Sequence, residues 1–167
     1  MTFPEPTEPA ASRAAVLVRY LDFFRETVLA KTEGLNEEQM TGSVLPSGWS
    51  PAELIQHLTH VELRWLEWGF EGRAVEQPWG DQERGRWRAP GVPAAEIGAA
   101  LRARGELTRE IIGRHDLDEL GAPGERWDGA EPATLERVLL HLVQEYARHA
   151  GHLDIVRELL DGRTGES

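Results

Sequence analysis

One stretch near the C-terminus constrains the fold more than any other part of the chain: residues 134–160, TLERVLLHLVQEYARHAGHLDIVRELL. Its apolar residues recur at intervals of three and four, the spacing that places side chains on one face of an α-helix. They are Leu135, Val138, Leu139, Leu142, Tyr146, Leu153, Val156 and Leu160. A long helix with one apolar face needs other helices to cover that face, so the pattern predicts a helical bundle.

Four titratable side chains lie along one edge of this apolar face: His141, Glu145, His149 and His152. At about 100° per residue, their positions fall within about 80° of one another around the helix. A buried charge must be paired or coordinated, and for that reason such groups are usually kept away from a buried face. Their grouping here predicts that the functional site lies on this helix.

Composition limits the classes of partner and site. The chain of 167 residues is the size of one domain, and its net charge of −11 argues against nucleic acid as a main partner. It contains no cysteine, so a metal ion would be bound by imidazole, carboxylate and water. The sequence shows neither the features of a signal peptide nor an apolar run of about 18 residues, which predicts a cytoplasmic protein with no membrane partner.

Three further long helices are predicted, at residues 12–33, 51–70 and 94–114. The second begins with a capping box and a proline in its first turn, Ser50-Pro51-Ala52-Glu53, and a short helical turn is expected at 37–40. The apolar stripe of the second helix is Leu54, Leu58, Val61, Trp65 and Trp68. With no convincing strand pattern, the chain is predicted to be an all-α four-helix bundle.

Two of the connections are long for a bundle, residues 71–92 and 115–133, where a few residues are typical. The connection 71–92 is either a lid over a site or a crossover that only spans the bundle. The expected organisation is a flexible arm at 1–11, one bundle domain at 12–162 and a polar tail at 163–167.

The spacing along the last helix favours a metal site. Glu145 and His149 are separated by one helical turn and can reach one ion, and His57 on the second helix is the best-placed third ligand. Two histidines and one glutamate would leave coordination positions open, as in catalytic sites, and suit Zn, Ni, Fe or Mn. The alternatives are a salt-bridged helix edge and, for His57, a histidine bonded to a backbone carbonyl at the edge of the core.

Two segments, PSGWSPAELIQHLTHVELRW and EYARHAGHLDIVRELLDG, resemble the DinB-like superfamily of four-helix metalloproteins. The resemblance covers about residues 12–162 and is closest to an actinobacterial branch near the mycothiol-dependent maleylpyruvate isomerases. The commonest family pattern has three histidines, and Glu145 here replaces one of them, as in the isomerase branch. The resemblance therefore implies His57, Glu145 and His149 as ligands of one divalent ion, most often zinc, in a homodimer.

The neighbouring histidines are assigned supporting roles. His152 occupies the position of a family glutamine and is expected either to contact a ligand or to be structural. His141 lies one turn before Glu145 and is expected either to contact a ligand or to lie at the edge of the core, and not to bind the ion. Because Glu145 would be occupied as a ligand, the remaining candidates for a catalytic base are His60 and His141.

The expected rim of the pocket contains Trp49, Trp65 and Arg148. Four more tryptophans are available for it, although core packing or loop anchoring is the alternative for most of them: Trp68, Trp79, Trp87 and Trp127. A substrate carboxylate could be held by Arg148, Arg64 or Arg86.

Three functions are compatible with these residues. The first is an enzyme in which the ion activates a low-molecular-weight thiol, mycothiol by resemblance, or a water; it would be an S-transferase, isomerase or hydrolase acting on a small molecule. The second is a metal-binding stress or detoxification protein without turnover. The third is an interaction module whose histidines form a pH-sensitive helix face. An open coordination position distinguishes the first, and the absence of bound metal distinguishes the third.

Overall fold

The computed structural model describes residues 3–165 and confirms the all-α fold. The helices are α1 (Arg13–Ala30), α2 (Glu37–Thr41), α3 (Pro51–Glu62), α4 (Ala94–Arg114) and α5 (Leu135–Asp161). A π-helical segment, Leu63–Phe70, continues α3, and a short 3₁₀ turn, Glu125–Trp127, precedes α5. None of the described helices is both long enough and apolar enough to cross a membrane.

The helix that carries the predicted metal ligand His57 begins as its sequence indicates. The Ser50 hydroxyl accepts a hydrogen bond from the backbone N–H of Glu53, and the Glu53 carboxylate accepts one from the Ser50 N–H at 2.8 Å. This reciprocal capping satisfies donors that a helix start leaves unpaired. The start of α3, and with it the position of His57, is therefore fixed by local residues.

The second predicted helix has the expected length, but its second half winds differently. From Leu63 to Phe70 the backbone forms the wider turns of a π-helix, a rare conformation that is frequently found at functional sites. Because the helical period changes there, Leu66 and Phe70 are buried, whereas Trp65 and Trp68 remain partly exposed. Of the two tryptophans predicted in the apolar stripe, Trp65 packs against the core while partly exposed, whereas Trp68 is not among the residues packed against it.

The connection 71–92 contains an antiparallel hairpin of two short strands, β1 (Gln82–Glu83) and β2 (Arg86–Trp87). Arg84 and Gly85 both have positive φ, at 52° and 77°, as a tight two-residue hairpin turn requires. The sequence shows no convincing strand pattern here, because strands of two residues are too short to produce an alternating pattern. The hairpin lies against α3 beside His57.

A buried hydrogen-bond network joins the four long helices at the carboxylate of Glu62 on α3. Arg25 of α1 donates to Glu62 Oε1 from Nη2 at 2.9 Å and from Nε at 3.2 Å. Tyr146 of α5 and Thr108 of α4 donate their hydroxyls to the same carboxylate. Glu62 is completely buried, so these donors replace the water that it loses on folding. The network fixes α5 against α3, and these two helices carry the candidate site.

The segment before α1, expected to be a loose arm, makes contacts with that helix from residue 3 onward. The ring of Phe3 lies edge-on against Tyr20, Phe23 and Phe24, at 5.0 Å from Phe23. Tyr20 also donates a hydrogen bond to the carbonyl of Pro4 at 3.0 Å.

Candidate metal centre

Three side chains from two helices converge at the middle of the α3–α5 contact: His57 from α3, and Glu145 and His149 from α5. Each offers one ligand atom, and these atoms all lie within 4.8 Å of one another. Glu145 Oε2 lies 3.3 Å from Nε2 of His149 and 3.9 Å from Nε2 of His57. The structure thus places together the three residues that the sequence analysis proposed as ligands.

The spacing of these atoms fits a small divalent cation. Nitrogen and oxygen ligands of zinc lie about 2.0–2.2 Å from the ion, so tetrahedral ligands are about 3.3–3.5 Å apart. The measured separations of 3.3 and 3.9 Å require only small side-chain adjustments to reach that geometry. The donor set of two imidazoles and one carboxylate is also one that zinc and neighbouring transition metals accept. The residues therefore fit such an ion.

A buried ion pair behind His57 orients its ring. Asp81 is fully buried, and its Oδ2 lies 2.9 Å from Nδ1 of His57, while Arg64 donates to both Asp81 oxygens at 2.6 and 3.2 Å. In the neutral ring, a proton on Nδ1 satisfies this contact, and Nε2, on the side of Glu145, is then the nitrogen whose lone pair is free to bind an ion. Burial alone would lower the pKa of His57, but the carboxylates of Asp81 and Glu145, which accept hydrogen bonds from the protonated ring, outweigh this effect, and the pKa is raised.

Glu145 is held in its charged form by the histidines around it. Hydrogen bonds from His149, and then from His57, lower its pKa well below the usual range of a glutamate, against the opposing effect of burial. A carboxylate that stays ionised is the form that binds a cation. On the other side of the ligand group, Nδ1 of His152 lies 3.2 Å from Nδ1 of His149. His152 therefore contacts a candidate ligand, as expected for a supporting residue.

His141 faces the second oxygen of Glu145. Its Nε2 lies 3.5 Å from Oε1, the oxygen turned away from the two candidate ligand histidines. The other side of the His141 ring packs edge-to-face against Trp65, with ring centres 4.7 Å apart. Burial lowers the pKa of His141. His141 thus reaches the carboxylate and not the space between the three donors, and its supporting role stays a prediction.

His60, the other candidate for a catalytic base, points towards the connection 71–92. Its Nδ1 lies 3.1 Å from the Gln56 carbonyl, and its Nε2 lies so close to Gly80 that a Cβ there would approach to 2.9 Å. Burial lowers the pKa of His60. Among the residues described, its contacts are with the second helix and Gly80, and not with the three candidate ligands.

Two tryptophans border the site on the side of the hairpin. The ring of Trp87 stacks on His57 at 4.3 Å with an interplanar angle of 17°, and lies 5.3 Å from His149. Trp49, predicted at the rim, lies 6.0 Å from Trp87 and 6.1 Å from His152. The two tryptophans also line a cavity of about 200 Å³. The connection 71–92 therefore covers one side of the candidate site, as the lid alternative expected.

The other residues predicted at the rim or for binding a substrate carboxylate differ in where the structure places them. Trp65 borders the site through His141, and Arg148 is exposed on α5 next to His149. Arg64, considered for binding a substrate carboxylate, is buried and occupied by Asp81. A larger cavity of about 520 Å³ lies between the C-terminal parts of α1 and α5, and none of its lining residues belongs to the candidate site.

The sequence does not predict that Asp81 and Trp87 touch His57. They belong to the connection 71–92, and no periodicity or local motif there indicates which residues return to the second helix. Their partnership with His57 depends on the path of the hairpin, which is a tertiary feature.

Comparison with models of known families identifies the family to which the chain belongs. The model of the family described as mycothiol S-transferase matches residues 16–162, which is most of the chain and includes every candidate site residue. No curated protein matches the sequence significantly. The family match agrees with the resemblance drawn from the PSGW and EYARHAGH segments. The chain therefore belongs to the mycothiol S-transferase family, within the DinB-like superfamily.

Proposed function

We propose that this protein is a metal-dependent mycothiol S-transferase that binds one divalent ion, zinc fitting best, through His57, Glu145 and His149. The observation that carries the proposal is the convergence of three donor atoms within 4.8 Å, one of them on a histidine held by a buried carboxylate. Carboxylate–histidine pairs of this kind are typical of metal sites, because they fix the tautomer and orientation of the ligand.

The number of donors favours a catalytic over a structural site. Structural zinc sites are usually closed by four protein ligands, whereas catalytic sites keep a position open for substrate or water. The group of donors within the described residues has three members, and His141 faces the far oxygen of Glu145. An open position is what the enzyme hypothesis requires, and the hypothesis of a purely structural ion requires a fourth ligand.

A bound ion would supply a positive charge that favours the thiolate form of a coordinated thiol at neutral pH. The protein residues hold the site in shape. Asp81 keeps the Nε2 lone pair of His57 directed at the ion position, and His141 orients Glu145 from its other oxygen. Trp87 shields the face of His57 from water, which strengthens electrostatic interactions in the site.

Mycothiol is favoured over water as the activated group because the family is named for that thiol. As a ligand, Glu145 is not free to accept a proton from it. Of the two candidate bases, His141 lies nearer, at 3.5 Å from Glu145, whereas His60 contacts Gln56 and Gly80. The cytoplasmic location and the homodimer remain predictions, and light scattering of the purified protein tests the latter.

The direct test measures the binding of mycothiol to the zinc-loaded protein. Isothermal titration calorimetry is carried out at pH 7 in two buffers of different ionisation enthalpy, which gives the number of protons released on binding. Thiolate formation releases a proton, so we expect tight binding with release of about one proton per site. The His149→Ala variant should show neither effect, and a His115→Ala variant, altered away from the site, should show both. Mycothiol binding of equal strength to wild type and His149→Ala would contradict the proposal.

A further inference from the structure

An arginine near the candidate metal centre has no carboxylate partner. Within residues 3–165, the arginines with no carboxylate within 4.0 Å are Arg84, Arg86, Arg88, Arg126, Arg137 and Arg148. Five of these are exposed, and Arg126, in the 3₁₀ turn before α5, is the one that is partly buried. The chain has 29 acidic residues against 18 basic ones, so acidic partners are plentiful. A partly buried arginine left without one is therefore informative.

Aromatic rings hold this arginine at one end of the α3–α5 contact. The guanidinium carbon of Arg126 lies 3.7 Å from the centre of the Trp65 ring and 6.0 Å from that of Trp79. Trp65 in turn packs on His141 at 4.7 Å, and His141 lies 3.5 Å from Glu145. Two successive contacts therefore link the Arg126–Trp65 pair to the candidate metal ligand Glu145. Trp65 itself lies about two helical turns, or about 12 Å, from His57 along the same helix.

The guanidinium is stacked but not neutralised. Its Nε is buried with no hydrogen-bond partner among the described residues. Burial, and then the nearby Arg64, lower the pKa of Arg126. Stacking on an aromatic ring occupies the face of a guanidinium and leaves its N–H groups available in the plane. That arrangement suits a planar anion, which binds edge-on through two parallel hydrogen bonds.

The geometry points to a carboxylate-binding subsite formed by Arg126 on Trp65, which takes the carboxylate of the second substrate, the acceptor of the thiol sulfur. This inference rests on the proposed function, since the acceptor must reach a thiol held at His57, Glu145 and His149. The flat, apolar part of the acceptor would lie along Trp65 and His141. The subsite thus selects small organic acids with an unsaturated or aromatic body.

A purely structural role for Arg126 predicts a different behaviour. In that case Arg126 only packs the connection 115–133 against Trp65, and the protein binds charged and neutral ligands equally well. The two roles separate in a binding experiment with a matched pair of probes, 4-chloro-3-nitrobenzoate and its neutral amide 4-chloro-3-nitrobenzamide. Binding is followed by quenching of tryptophan fluorescence in zinc-free protein, so that the carboxylate has no ion to bind.

We expect wild type to bind the benzoate about tenfold more tightly than the amide, as one charge-assisted bidentate contact provides. Arg126→Gln should abolish the preference, and Arg126→Lys should keep only part of it, because lysine cannot form the planar contact. Arg137→Gln, which removes an exposed arginine without a carboxylate partner, is the matched control and should keep the full preference.

Equal affinity of wild type for the two probes, or a preference that survives in Arg126→Gln, would overturn the subsite. If Arg126→Gln does not fold, Arg126→Lys decides, and an unchanged benzoate affinity in that variant overturns the proposal. Zinc titration of wild type is read separately. If wild type does not bind zinc but keeps the preference for the benzoate, the proposed function is refuted and the anion subsite stands. If wild type binds zinc but shows no such preference, the subsite is refuted and the proposed function stands.

Discussion

Replacing Asp81 with asparagine tests whether a buried carboxylate orients a metal ligand. The substitution keeps the shape of the side chain but removes its charge, and an amide can present either its oxygen or its NH₂ to Nδ1 of His57. The 2.9 Å contact that directs the Nε2 lone pair towards Glu145 is thereby weakened. Arg64, which donates to both Asp81 oxygens, also loses its anionic partner.

Two magnitudes follow from the structure. Loss of the partner that orients a ligand histidine typically reduces metal affinity by about 10–100-fold, which corresponds to about 1.4–2.7 kcal/mol. Leaving a buried ion unpaired typically costs about 3–5 kcal/mol of folding free energy. Arg64 keeps a hydrogen bond to the Pro78 carbonyl and its stacking on Trp79, so we expect the lower part of that range, about 3 kcal/mol.

The assay is competitive zinc titration against a chromophoric chelator, with thermal unfolding of the metal-free protein measured in parallel. Asp118→Asn is the matched control, because Asp118 is also paired with an arginine but its side chain is 81% exposed. It should leave zinc affinity unchanged and stability nearly so. A wild-type zinc affinity in Asp81→Asn, with the protein folded, would refute the orienting role.

Further predictions concern the buried network around Glu62. Tyr146→Phe removes a hydroxyl that donates to Glu62 and should lower the free energy of unfolding by about 1–3 kcal/mol, measured by urea titration; an unchanged midpoint would contradict the network. Gly105→Ala places a Cβ 2.6 Å from the Arg25 guanidinium and should destabilise by about 1–3 kcal/mol. Gly113→Ala, in the same helix but with open space around the new Cβ, should instead stabilise the protein by up to about 1 kcal/mol. Equal effects of the two substitutions would show that the Arg25 side chain moves aside without cost.

The parts of the site that were predictable are those set by local spacing. Glu145 and His149 share one helix at a separation of four residues, so the turn of the helix brings them together. The start of α3 could be predicted because its capping residues are neighbours in sequence. His57 could be proposed because it lies on the apolar side of the second helix, and the family resemblance implied the same residue.

The residues that were not predicted depend on tertiary structure or on a change of helical period. Asp81 and Trp87 reach His57 only because the connection 71–92 folds back as a hairpin. The π-helical segment turns Trp65 towards His141, against an α-helical pattern. One signal was available: Glu62 occupies a position between Leu58 and Leu66 on the apolar face of its helix, where a carboxylate requires buried partners.

The central claim is that His57, Glu145 and His149 bind one divalent ion. The most direct measurement is the metal content of the purified protein by elemental mass spectrometry, for wild type beside His57→Ala and His149→Ala, with helix content checked by circular dichroism. We predict one equivalent of metal in wild type, most of it zinc, and its loss in both variants without loss of helix. Stoichiometric metal in either variant, or none in wild type after addition of ions, would contradict the site.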